Sequence, residues 1–157
     1  MNLEVVSDNK KILPHIIEVS FGVDRNIFSL LDIFYKSDNE RTYFDFPAKI
    51  APFEVAVFPL VNKDGLYEKA KEVFDIISKH YRTSFDFSGS IGRMYRRVDE
   101  IGVPAMITVD YDTIKDNTVT LRDRDTMAQI RVKVSELSKV IEKFLSGERL
   151  ERLGKII

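Results

Sequence analysis

The chain has no cysteine and only two histidines among its 157 residues. Without cysteine there is no disulfide, thiolate zinc site or sulfur nucleophile. His15 and His80, far apart in sequence, argue against a histidine-rich metal site, and no metal ligand set is assigned. An excess of either charge is also missing: 24 Lys and Arg against 25 Asp and Glu give a formal net charge of −1. That balance excludes attachment to nucleic acid by bulk positive charge and leaves local basic patches for the purpose. No apolar run is long enough to cross a bilayer. The opening MNLEVVSDNKK lacks a signal-peptide core, so a cytoplasmic protein with no membrane attachment is expected.

What is present is ordinary globular material, 44% hydrophobic and 31% charged, in a length that suits one domain plus an appendage. Leu3–Val6 and Leu13–Ser20 read as strands joined by the polar turn Ser7-Asp8-Asn9-Lys10. A helix follows, with Asp24 as its cap and Ile27, Leu30, Leu31 and Phe34 on one face. Lys36–Arg41 reads as a polar loop. Phe44–Pro52 carries two prolines in an apolar stretch and suits an extended connector. The sequence therefore divides into 1–46, a connector at 47–52, and 53–157.

The second part alternates strand and helix. EVAVFPLV over Glu54–Val61 is the apolar run of a strand covered on both faces, and Leu66, Ala70, Val73, Phe74 and Ile77 form the buried stripe of the next helix. Thr83–Phe87, a helix over Ile91–Ile101 and a strand over Ala105–Tyr111 continue the series, which implies right-handed crossovers and at least partly parallel pairing. Thr118–Arg124 and Ala128–Val134 then alternate with period two, and a helix capped by Ser135 closes the domain. The expected fold is α/β, a mixed five-stranded sheet flanked by helices.

Two basic constellations stand out. On the last two strands Arg122, Arg124, Arg131 and Lys133 share a face with Gln129, a surface able to grip phosphates and read base edges; the same pattern also fits a solvated face neutralised by Asp123 and Asp125. On the second crossover helix, Arg93, Arg96, Arg97 and Glu100 recur at helical spacing beside Tyr95 and Asp99. Arginines next to an aromatic suit single-stranded RNA, whose unstacked bases are held by stacking and edge hydrogen bonds; a salt-bridged helix surface fits as well. Ser88-Gly89-Ser90-Ile91-Gly92 before that helix matches neither GxGxxG nor the P-loop and lacks the P-loop lysine, so it reads as a turn.

The blocks SGSIGRMYRRVDEIG and VTLRDRDTM, with AKIAPFEVAVFPLVNKDG before them, closely resemble the anticodon-binding domain of class II glycyl-tRNA synthetases. PHIIEVSFGVDR resembles the last catalytic motif of the same enzymes, with Val19 where the family commonly has proline. The resemblance implies that Glu18 and Ser20 hold glycine and that Arg25 binds ATP. It also implies tRNA-binding positions among Arg93, Tyr95, Arg96, Arg97, Asp99, Glu100, Arg122, Arg124, Gln129 and Arg131.

By this resemblance the chain corresponds to the C-terminal part of an archaeal/eukaryotic-type enzyme: a catalytic-sheet remnant with motif 3, then a complete anticodon-binding domain. Its implied partners are tRNA for glycine and the rest of the catalytic domain, with a homodimer as the full enzyme. ATP and Mg²⁺ serve the full enzyme, and no cofactor is expected on this chain alone. Motifs 1 and 2 have no counterpart in the sequence, so the chain by itself is expected to be inactive as a ligase. The competing reading is a non-enzymatic accessory or interaction module of the same fold.

Overall fold

The computed structural model describes residues 5–7, 10–15 and 17–157. By Cα packing the chain divides into two units, Met1–Ile33 and Phe34–Ile157. This differs from the expected boundary at 47–52, because residues 34–46 pack with the sheet that follows them.

In the first unit Val5–Ser7 (β1) pairs antiparallel with Lys10–Ile12 (β2), Val6 opposite Lys11. Leu3 and Glu4 of the expected first strand, and Asp8 and Asn9 of the expected turn, lie outside the described residues. The second strand expectation needs correction: the described part of 13–20 carries no strand. Pro14 has no amide hydrogen to give a ladder, and β2 ends at Ile12 ahead of it. Val23–Phe34 (α1) takes in Asp24 as a first-turn residue rather than a cap, where its charge suits the positive end of the helix dipole. None of the α1 residues is buried.

The second unit opens with a hairpin, Tyr35–Ser37 (β3) against Thr42–Phe44 (β4), in place of the loop expected over Lys36–Arg41. The Asp38 carboxylate accepts the backbone N–H groups of Glu40 and Arg41, each at 2.8 Å, and so reverses the chain within four residues. Val55–Pro59 (β5) is the centre of the parallel part of the sheet, flanked by Thr83–Phe85 (β6) and Ala105–Val109 (β7). Thr118–Asp123 (β8) and Gln129–Lys133 (β9) extend it antiparallel beyond β7, giving the order β6-β5-β7-β8-β9. This is the expected mixed five-stranded sheet. All of β5 is buried, as a strand covered on both faces requires.

The pleat divides the core. Val55 and Val57 face Leu66–Ile77 (α2) and Leu137–Leu145 (α5), in one cluster with Leu66, Ala70, Val73, Ile77 and Ile107. Ala56 and Phe58 face Ile91–Glu100 (α3), where Met94, Val98, Val103 and Met106 complete a second cluster. Burying an aliphatic or phenyl side chain of this kind contributes roughly 1.5–3 kcal/mol, so each face independently holds its helix.

Two termini differ from expectation. Ser135 caps nothing: a 3-10 turn over Val134–Glu136 leads directly into α5 with no side-chain cap bond. Tyr111–Asp116 (α4) was not foreseen and sits where the third strand was extended to Tyr111. The tail forms the short helix Leu150–Leu153 (α6). No helix among the described residues is long and apolar enough to cross a membrane.

Candidate nucleic-acid interface

The helix α3 separates its residues cleanly. Met94 and Val98 point into the core, while Gly92, Arg93, Arg96, Arg97 and Glu100 are exposed and, with Ser90, line a shallow depression of about 490 Å³. The helix begins after Ser90, an extended residue whose hydroxyl makes no cap bond. Arg97 is committed in part: its Nε donates to Asp86 at 2.8 Å and a terminal nitrogen donates to the Ser88 carbonyl, which pins the loop before the helix. Arg93 and Arg96 extend outward beside it.

The remaining candidates lie elsewhere. The alternation on β8 and β9 is as expected, Thr120 opposite Arg131 and Arg122 opposite Gln129. That face, however, is not an open basic surface. Arg122 is covered by α3 and Arg124 by Asp45, Phe46 and Gly102, so both are buried, whereas Gln129 and Arg131 are half-buried and Lys133 is exposed. Arg122 donates to Asp99 at 3.3 Å and lies 4.6 Å above the Tyr95 ring. Arg124 spreads its fork over Asp45 at 2.7 Å, the Phe46 carbonyl at 2.9 Å and the Gly102 carbonyl at 3.0 Å. Burial and the neighbouring Asp125 push the Asp45 carboxyl above its ordinary range.

Asp99 is fully buried between Arg41 at 3.0 Å and Arg122. Tyr95 is half-buried, its hydroxyl 2.6 Å from that of Thr108 and its ring edge-on to Phe58; burial pushes the phenol up. These groups position α3 on the sheet.

Arg131 forms a fork on Asp110, both nitrogens at 2.6 Å, and reaches Thr118 at 2.7 Å. Asp110 also caps α4 by accepting from Asp112 and Thr113, whose hydroxyl in turn accepts the Asp110 amide. Burial works to raise the Asp110 pKa, but the Arg131 and Thr113 hydrogen bonds outweigh it and hold the carboxyl below its usual range. Gln129 is half-buried on β9 and its carbonyl accepts from Ile157 at 3.0 Å.

In the first unit, Ser20 donates to Glu18 at 2.9 Å on an exposed segment, and Arg25 lies in the first turn of α1. A carboxylate, a hydroxyl and a guanidinium are thus close together in sequence and open to solvent.

Sequence reasoning missed Arg41, which reaches α3 from the hairpin, and Asp110. The spacing of Asp110 and Thr113 is that of a reciprocal cap and was a usable signal for α4. It also missed Phe87, an exposed ring in the loop between β6 and α3.

The fold places the second unit among α/β domains built on a mixed sheet with helices on both faces. The chain belongs to the anticodon binding domain family, which matches residues 54–144. It is 48% identical to the glycine–tRNA ligase of Methanothermobacter thermautotrophicus over 143 residues, covering 90% of this chain and 25% of that protein. It is 43% identical to the glycine–tRNA ligase of Aeropyrum pernix over 157 residues, 98% of this chain and 27% of that one. It is 45% identical to that of Treponema denticola over 138 residues, 82% and 31% of the two chains. The chain therefore spans about a quarter to a third of the length of these relatives.

Proposed function

We propose that this chain acts as the C-terminal part of a glycyl-tRNA synthetase, recognising the anticodon of tRNA for glycine. The observation that carries the reading is the match to Aeropyrum glycine–tRNA ligase over 157 residues, which runs well beyond the 54–144 of the anticodon-binding family. A free-standing binding module would have no need of the Glu18–Arg25 segment. The proposed setting is cytoplasmic, with the rest of the catalytic domain as partner and a homodimer as the full enzyme.

The RNA-facing set in this proposal is Arg93 and Arg96, with Glu100 beside them as an acceptor able to take a base amino group. Arg97 acts by fixing the loop, and Tyr95, Asp99, Arg122, Arg124 and Arg131 act by positioning the helix and sheet. In the full enzyme Glu18 would pair with the ammonium of glycine, Ser20 would hold Glu18 in place, and Arg25 would neutralise phosphate charge of ATP bound with Mg²⁺. One carboxylate and one guanidinium are a partial set. Adenylate formation needs the remaining groups prepositioned around the same ATP and glycine. This chain alone is accordingly expected to show no glycine-dependent ATP–pyrophosphate exchange, and exchange abolished by Arg25→Ala would contradict that.

The test of recognition is a pair of replacements, Arg93→Ala and Arg96→Ala. A residue that reads a base should lose about 1–3 kcal/mol and relax anticodon preference; one that holds phosphate should weaken all RNAs alike and reduce the salt slope by about 1. Wild-type RNA binding by both variants would remove this face from the interface.

A further inference from the structure

The parallel part of the sheet has a switch point. The chain leaving β5 turns to α2 on one face, whereas the chain leaving β6 turns to α3 on the other. The carboxyl ends of parallel strands are where open α/β sheets commonly take their ligands. The loop 86–90 leads from the carboxyl end of β6 into α3, and Phe87 stands on it with 45% of its surface exposed.

Phe87 is open but not loose. Its ring meets Tyr67 edge-on at 5.2 Å and tilts against Phe85 at 6.0 Å, and Phe85 rests in turn on Phe74 at 5.4 Å. The Lys71 ammonium lies 4.2 Å above Phe74 and pairs with Asp75 at 3.3 Å, closing the far end of the cluster. The loop backbone is held from the other side by Arg97 through Asp86 and the Ser88 carbonyl. Gly89, with φ +93°, lies against the Arg93 stem, and a Cβ there would be 3.7 Å from Arg93 Cδ. The Phe87 ring is thus backed by Tyr67 and Phe85, and the exposed Arg93 of α3 lies against its loop at Gly89.

We propose that Phe87 is a stacking platform for an unpaired base of the bound RNA, with Arg93 beside it neutralising a phosphate of the same strand. This rests on the recognition role proposed above and assigns a specific residue to it. Stacking accepts any base that has left its helix, while a fully paired duplex offers none, so the platform selects single-stranded loop nucleotides before any base edge is read. The adjoining Arg93 complements the charge of such a strand, and a ring already packed on Tyr67 and Phe85 loses little freedom on binding.

The chain has no tryptophan, so Phe87→Trp places one fluorescent indole at the platform. The probes are a hairpin carrying the unpaired anticodon loop of tRNA for glycine and a blunt duplex of equal length, titrated against the full chain at fixed salt. Phe87→Ala should weaken hairpin binding roughly 5- to 150-fold. Its duplex binding and the salt dependence of hairpin binding should match wild type, since no phosphate contact is removed. Phe87→Trp should bind the hairpin like wild type, with its emission quenched by the hairpin and not by the duplex. Hairpin binding by Phe87→Ala within twofold of wild type, or an indole blind to saturating hairpin, would overturn the platform while leaving the recognition role standing. A wild-type chain that fails to prefer the hairpin over the duplex would overturn both.

Discussion

Arg41 and Asp99, separated by 58 residues, meet at 3.0 Å with side chains 2% and 0% exposed. The pair fastens the β3–β4 hairpin to the inner side of α3, and Arg122 reaches the same carboxylate from β8. Asp99 thereby serves two buried guanidinium groups, and removing its charge leaves Arg41 with only the more distant Asp38 at 3.8 Å and takes from Arg122 its carboxylate partner. Asp99→Asn should lower unfolding stability by about 3–5 kcal/mol in urea denaturation. A chain starting at Phe53, which contains the sheet and all its crossover helices but not Arg41, should be less stable than one starting at Phe34. Equal denaturation midpoints for those two lengths would show that the hairpin is dispensable.

Gly102 and Gly65 have nearly the same backbone angle, φ +80° and +79°, but different surroundings. A Cβ at Gly102 would lie 2.5 Å from Phe46 Cδ2 and 2.9 Å from the Phe44 carbonyl, whereas at Gly65 nothing lies within 4 Å. Gly65→Ala should cost only the left-handed conformational penalty, about 1–2 kcal/mol. Gly102→Ala should exceed it by a further 1–3 kcal/mol, roughly the penalty for overpacking. Equal losses would mean that the hairpin yields freely at this contact.

The Asp110–Arg131 fork gives a pH dependence of known sign. Asp110 is held below its usual carboxylate range in the folded chain, so the folded state binds its proton less readily than the unfolded state. Its stabilising contribution is fully present above the unfolded carboxylate pKa of about 3.9 and disappears as the pH falls through the lower folded value. Asp110→Asn should therefore cost roughly 1.5–3 kcal/mol at neutral pH, in the range of a charge-assisted bond. The difference from wild type should shrink steadily below about pH 4. A difference that stays constant down to pH 2 would contradict this role.

Strand and helix periodicity in 53–157 was legible because each buried face repeats a simple pattern. The run Val55–Pro59 and the stripe Leu66, Ala70, Val73 and Ile77 are where that pattern places them. The burial of Arg122 and Arg124 was not legible, because alternation says that they share a face and does not say what covers it. The partners that admit them to the interior, Asp99 and Asp45, lie 23 and 79 residues away. The hairpin at 35–44 was hidden for a related reason: its turn is made by one aspartate and its anchor is a long-range ion pair, neither of which leaves a periodic trace. The exposed arginines Arg93 and Arg96 were legible from spacing, but Phe87 was read only as the end of a strand, since its openness depends on where β6 lies in the sheet.

Recognition of the glycine anticodon, as proposed, requires the chain to distinguish one anticodon from others. The direct measurement is binding of the wild-type chain, at one salt concentration, to tRNA for glycine and to the same tRNA with its anticodon exchanged. Binding should be tighter to the native anticodon, with about 1–3 kcal/mol lost for each base that is read. Equal affinity for both tRNAs would contradict it.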